Sequence, residues 1–262
     1  MVEYRWADTQ YDRLPALAAD LARRQVRVIA ANTLAALASK AVTTTIPIVF
    51  VTAGDPVELG LVATLSRPGG NVTGVTTLSS ETGSKRLELA HELVPTANSI
   101  ALLVNPTNPN LAGPLSRDLQ AAAGALGLQL HVLQASAERD FDAVFTALRQ
   151  LRAGALVIGT DALFTDRCEQ IATLALRDAV PTIYENREFT AAGGLISYGG
   201  GFLDAYRQLG VYTGRILRGD KPADLPVQQA TRIELIINLK TAKALGLTIP
   251  ETLLATADEV IQ

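Results

Sequence analysis

The sequence predicts an α/β protein built as two doubly wound lobes with parallel sheets. Apolar, β-rich runs alternate with helical patterns along almost the whole chain. Those runs are nearly continuously hydrophobic, as expected of parallel strands buried on both faces. Two distant segments also follow one plan. VRVIAANTLAALASKAVTTTIPIVFVT and GALVIGTDALFTDRCEQIATLALRDAVPTIYEN each read strand, polar corner, helix, X-Pro, strand.

The strands expected in order are Val26–Ala31, Pro47–Thr52, Val72–Thr76, Ile100–Val104, Leu128–Leu133, Ala155–Gly159, Pro181–Tyr184, Gly194–Tyr198 and Ile233–Ile237. Helices of about ten to eighteen residues fill the intervals, as repeated β-α-β units require. The clearest is Glu138–Arg152, where Phe141, Val144, Phe145, Leu148 and Leu151 fall on one 3.6-residue stripe. SRPGGNVTG reads as a tight loop, with Gly69 and Gly70 free to adopt positive φ. AAGGLISYGGG brackets a strand with glycine, which suits a segment crossing between lobes. A first boundary is expected near Leu78–Gly83.

With 262 residues, 48% of them hydrophobic and 19% charged, the chain can bury a substantial core. A net charge of -3 leaves no electrostatic footprint for nucleic acid. Arg23 and Arg24 share a helix with Asp20 and read as a solvated face. A single cysteine, Cys168, supplies neither a disulfide framework nor a cysteine metal site. No apolar run reaches the roughly 18 residues of a membrane helix. The opening MVEYRWADTQYDR has no apolar segment of the signal-peptide kind.

Enzyme signatures are missing. His91 falls inside the helix KRLELAHELVP and His131 in the middle of the strand LQLHVLQ, neither at a strand's carboxyl end. H-E-x-x-H, G-x-S-x-G, G-x-x-x-x-G-K-[ST] and G-x-G-x-x-G do not occur. No cofactor is expected, and Cys168 reads as a small, buried residue without a base beside it in sequence.

In open parallel sheets, ligands bind outside the carboxyl ends of the strands. Those corners carry Asn32-Thr33, Thr52-Ala53-Gly54-Asp55, Thr76-Thr77, Asn105-Pro106-Thr107-Asn108, Thr160-Asp161, Tyr184-Glu185-Asn186 and Tyr198-Gly199. Hydroxyls, amides, carboxylates and aromatics of this kind hold a small polar molecule with an aromatic wall. The candidate ligand residues are Asn32, Thr33, Thr52, Ala53, Gly54, Asp55, Thr76, Thr77, Asn105, Asp161, Tyr184, Glu185 and Tyr198. Asp55 also reads as an N-cap, with Pro56 at the first helical position and Glu58 completing a capping box. On that reading Thr52 and the amides of Ala53 and Gly54 face the ligand, helped by the helix end. Asn108-Pro109 reads equally as turn or cap, and Tyr198 equally as core. Asp161 lacks a capping-box partner, because Phe164 occupies that position.

The motifs IPIVFVTAGDPVELGLVATLSRPGGNVTGVT, LVNPTNPN, GGLISYGGG, ILRGDKPADLPVQQATRIELIINLKTAKALGLTIPETLL and ADEVIQ occur in that order. Together they resemble the substrate-binding proteins of ABC transporters of the TrpX type, described as tryptophan/tyrosine transport components. The resemblance runs over essentially the whole chain. It implies a type I periplasmic-binding-protein fold: two lobes joined by crossovers, closing by a hinge on a small-molecule ligand, an amino acid among the candidates. The lobes expected are 1–78 with 191–226, and 79–190 with 227–262. It implies a periplasmic or lipid-anchored binder, not an enzyme, that delivers to an ABC permease and its ATPase. Asp161 would pair with a ligand ammonium, and hydroxyls and amides would take its carboxylate. Relatives begin with a signal peptide, a strand and a helix before a segment like EYRWADTQYDRLPALAADL, so the first lobe is expected to lack its usual first strand and helix. A monomer is expected, with a dimer through that incomplete lobe as the alternative. Ala162 follows Asp161 where relatives often carry Asn, and the loop at Asn32-Thr33-Leu34 is shorter than usual. The rival reading is the ligand-sensing effector core of a regulator, which shares the architecture but needs a DNA-binding domain.

Overall fold

A computed structural model describes residues 1–77, 79, 82–230 and 232–262. The chain divides into two compact units, Met1–Leu78 with Phe202–Thr231, and Ser79–Gly201 with Arg232–Gln262. The expected return crossing at 191 thus lies earlier than the observed one. The reason is the strand Ile196–Gly200, which pairs on both sides inside the second unit.

In the first unit, Ile29–Asn32, Ile48–Thr52, Val72–Thr76 and Gln228–Gln229 form a four-stranded parallel sheet in that spatial order. Ile48, Phe50 and Val72 pack on one face with Ala36 of the helix Thr33–Val42. Val49, Val51 and Val75 pack on the other with Tyr212, Ile216 and Ala205 of the helix Phe202–Leu217. The apolar run is continuous because both faces are covered.

The first expected strand, Val26–Ala31, begins later, at Ile29. Residues before it are spent ending the helix Leu14–Arg23. Gln25 takes the left-handed conformation (φ 50°), and the amides of Gln25 and Val26 bond back to Ala22 and Leu21. The helix expected after Asp55 is a single turn. Leu59 N donates to Asp55 O, and Gly60 in the left-handed region (φ 68°) then redirects the chain.

The second unit holds a seven-stranded sheet in the order 259–261, 233–238, 196–200, 182–184, 156–158, 99–104, 129–134. All neighbours run parallel except Ile233–Asn238 against Ile196–Gly200. Alternate residues sort to opposite faces, as the pleat demands. Ile100, Leu102, Val157 and Ile183 face the helices Gly83–Leu93 and Pro109–Ala125. Ala101, Leu103, Leu156 and Ile158 face Phe141, Val144 and Phe145 of the helix Phe141–Leu151. The expected Glu138–Arg152 helix opens as a 3₁₀ turn, Glu138–Asp140, and ends at Arg152 in the left-handed conformation.

Two short strands escaped the sequence reading: Gln228–Gln229, which is too short and polar to give a pattern, and Glu259–Ile261. The strand expected at Gly194–Tyr198 is shifted to Ile196–Gly200, which puts Tyr198 in mid-strand opposite Leu235. Among the described residues no helix is long and apolar enough to cross a membrane.

Two glycines of the first unit make the packing testable. A Cβ at Gly74 would press into the backbone oxygen and ring of Phe50 on the neighbouring strand, whereas one at Gly210 would meet nothing within 4 Å. Gly74→Ala is expected to cost about 1–3 kcal/mol through overpacking. Gly210→Ala, in a helix interior, is expected to gain about 0.5–1 kcal/mol. Urea unfolding of the two variants checks both signs.

Candidate ligand-binding site

In each unit most buried polar groups collect where the parallel strands end, because a polar side chain inside a strand covered on both faces must find a partner there. In the first unit the hydroxyls of Thr33 and Thr52 lie 2.9 Å apart, and both residues are buried. Gly54 N donates to Thr52 Oγ1 at 3.3 Å, and Thr76 Oγ1 donates to Gly54 O at 3.0 Å. The amide and the hydroxyl of Thr77 both reach Thr52 O. The structure therefore brings Thr33, Thr52, Gly54, Thr76 and Thr77 into one hydroxyl-rich knot. The Gly54 amide, expected to be offered to a ligand, is engaged by Thr52. Ala53 is buried beside it.

Asp55 and Asn32 do local work. Asp55 Oδ1 accepts from Val57 N at 2.7 Å and from Glu58 N at 3.4 Å, so its capping reading describes the geometry although only one turn follows. Asn32 caps the helix Thr33–Val42 by accepting from Ala35 N at 3.2 Å.

In the second unit Asp161 is the hub. It is 3% exposed, and it caps the helix Ala162–Asp166 by accepting from Leu163 N at 3.0 Å. Asn105 Nδ2 donates to its Oδ1 at 2.9 Å and Asn108 Nδ2 to its Oδ2 at 2.8 Å. Asp161 caps without a capping-box partner because asparagines from the neighbouring corner complete its shell. Asn105 Oδ1 in turn holds the amide and hydroxyl of Thr107. Asn108 stands at the N-cap of the helix Pro109–Ala125, but its side chain goes to Asp161 rather than to that helix.

Beside this hub, Thr160 Oγ1 donates to Glu185 Oε2, while Glu185 Oε1 is buried and has no partner among the described residues. Burial pushes the Glu185 carboxyl up from its ordinary range. The Arg86 charge and the hydroxyls of Thr160 and Ser79 oppose that shift. Tyr184 does not form the expected aromatic wall. It is fully buried, edge-on to Phe189 at 5.8 Å, and its hydroxyl meets Thr165 at 2.9 Å and Asp161 O at 3.3 Å. Burial drives its phenol well above the usual value. Tyr198 is half-buried against the core in mid-strand, so it does not stand at a corner.

Sequence reasoning missed Arg86, which is fully buried. Its Nη1 donates to Ser79 O at 3.1 Å, Thr82 Oγ1 at 2.9 Å and Tyr198 O at 3.4 Å. Burial lowers its pKa, and the Glu185 carboxylate opposes that shift. The signal was present: Arg86, Ala90 and Leu93 share one helical stripe, and a cation on an apolar stripe needs a partner.

Over residues 1–261 the sequence matches the family described as ABC transporter substrate binding protein. The chain belongs to that family. It is 29% identical over 224 residues to a protein of Clostridioides difficile (strain R20291) named tyrosine-binding protein. That match covers 84% of this chain but spans only 63% of the relative's length. A crystal structure of a conserved domain protein from Vibrio cholerae superposes with a TM-score of 0.88 at 29% identity, covering 98% of this chain and 86% of that one. An ABC domain from Streptococcus pneumoniae, solved in complex with L-Trp, gives 0.84 at 24% identity over 96% of this chain and 86% of that one. The fold is thus the type I periplasmic-binding-protein fold that the motifs implied.

Replacing the Asp161 hub tests the second corner. Asp161→Asn keeps one acceptor but sets an amide against the amides of Asn105 and Asn108. The loss expected is about 2–3 kcal/mol, the range for hydrogen bonds to a buried charged group. Asp55→Ala removes a half-buried cap and is expected to cost about 1 kcal/mol. Chemical denaturation separates the two.

Proposed function

We propose that this protein is the solute-capturing component of an ABC importer and that its ligand is an aromatic amino acid. The observation that carries the reading is the gathering of buried hydroxyl, amide and carboxylate groups at the carboxyl ends of the strands in both units. The family match supports the class of function, and the tyrosine-binding relative supports the ligand class.

In this reading the paired hydroxyls of Thr33 and Thr52, whose mutual bond spends only one of their two protons, serve the ligand's carboxylate. Glu185 serves its ammonium, a role the motifs had given to Asp161. Both Asp161 oxygens already accept from neighbouring amides, which makes it the frame of the corner. Glu185 keeps an oxygen without a partner among the described residues. A ligand with higher affinity for a closed form shifts the population toward that form, which would be presented to the permease. Binding without turnover fits the chemistry of the corners, in which hydroxyls and amides bond one another. The protein would act outside the cytoplasmic membrane, as its family does.

A thermal-shift series over L-tyrosine, L-tryptophan, L-phenylalanine and non-aromatic solutes tests the proposal. At about 100 times its dissociation constant, a true ligand adds about 2.7 kcal/mol of stability. For a chain of this size that raises Tm by roughly 5–10 °C. A shift with another solute class and none with aromatic amino acids overturns the ligand assignment.

A further inference from the structure

We propose that Arg86 is a positioning residue that ties the segments by which the chain enters and leaves the second unit to the Glu185 corner. The chain enters this unit at Ser79 and leaves it after Gly201. Arg86 holds both ends through one nitrogen, donating to Ser79 O and Thr82 Oγ1 on the entering side and to Tyr198 O on the leaving side. The third passage, beginning at Arg232, is fixed to the same place. Ile233 and Glu234 pair with Gly200 and Gly199 of the leaving strand.

Glu185 belongs to the same assembly. The Ser79 hydroxyl and the Arg86 charge both hold down its carboxyl's pKa, while the Ser79 carbonyl accepts from Arg86. Gly199 lies so close that a Cβ there would press into the Glu185 backbone oxygen. The leaving strand therefore rests directly on the corner residue, and only glycine permits that approach.

An apolar side chain would fill the space occupied by Arg86 more cheaply, because a buried guanidinium forfeits its hydration. Its gain is three acceptors from two segments gathered on one donor group, with a carboxylate in its field. The charged and titratable groups facing the pair are Tyr184, Tyr198 and Asp161, in addition to Arg86 and Glu185 themselves. Displacing Glu185 thus loads Gly199 by contact and Arg86 through its charge, and through them both passages. This consequence for ligand capture rests on the proposed role of Glu185. The clamp itself does not, so the experiment is run without ligand.

The experiment compares Arg86→Gln, Arg86→Lys and, as a core-packing control, Leu119→Ala by site-resolved amide hydrogen exchange and a ¹³C titration of the Glu185 carboxyl. In Arg86→Gln, exchange at Ser79, Thr82 and residues 197–200 is expected to accelerate about tenfold more than at Gln129–Gln134 of the same sheet. The Glu185 carboxyl is expected to titrate at higher pH than in the wild type, having lost its counter-charge. Arg86→Lys brings three donors and keeps the charge. It is expected to hold exchange at those residues within about threefold of wild type, and it tests the clamp alone if the glutamine variant does not fold. Uniform acceleration across the unit, as expected for Leu119→Ala, or an unmoved Glu185 titration in Arg86→Gln, overturns the proposal. So does tenfold acceleration in Arg86→Lys.

Discussion

Covering a parallel sheet on both faces leaves its strands only one place to carry polar chemistry, and the rest of this structure follows from that constraint. In the central strands of both units, Ile48–Thr52, Val72–Thr76 and Ser99–Val104, every residue is buried. A polar side chain in such a strand must find a partner within its own layer or stand at the end. Thr73, buried in mid-strand, takes the first course by donating to Leu225 O, and most other polar groups stand at or just past the strand ends: Thr52, Thr76, Asn105, Thr160, Glu185. The corners are where the fold gathers most of its buried hydrogen-bonding groups, and that is why they are also where it can bind something.

The two units solve the corner differently. In the first, the groups are neutral: a threonine knot in which Thr52 meets Thr33, Gly54 and Thr77. In the second, they are charged. Asp161 is satisfied by an amide at its helix start and by two asparagines. Glu185 and Arg86 are buried with atoms that have no partner among the described residues, which makes these ionisable groups costly members of the structure. Costs of this kind persist where a function uses them, and here they sit at the corner and at the passages of the chain.

Much of this was legible in the sequence, for physical reasons. Continuous apolar runs bounded by Gly, Pro and Asx mark strands covered on both faces, so the expected Ile100–Val104 falls within one residue of the observed Ser99–Val104. The corners followed, because a parallel strand's last residues must be its polar ones. The short helix after Asp55 was misread, because Asp-Pro-x-Glu is a start signal that carries no information about length. Only the left-handed Gly60, invisible in the pattern, ends it. Tyr184 was misassigned because a tyrosine at a strand end suits a wall or a core equally. Its contact with Phe189, five residues on across a turn, is tertiary. Arg86 went unremarked for a related reason. An arginine beside a lysine on a helix reads as solvent-facing until the stripe it occupies is examined. The pairing of Asn105 and Asn108 with Asp161, more than fifty residues away, has no local signature.

The central claim is that the corners read the charged head of an amino acid. Calorimetric titration with L-tyrosine and L-tryptophan, beside tyramine, tryptamine and the corresponding des-amino acids, tests it most directly. A site whose buried groups bond both the carboxylate and the ammonium should bind the amino acids at least about 100-fold more tightly than analogues lacking either group, since each omission strands a buried partner. Equal affinity for the amino acids and their truncated analogues would contradict the account.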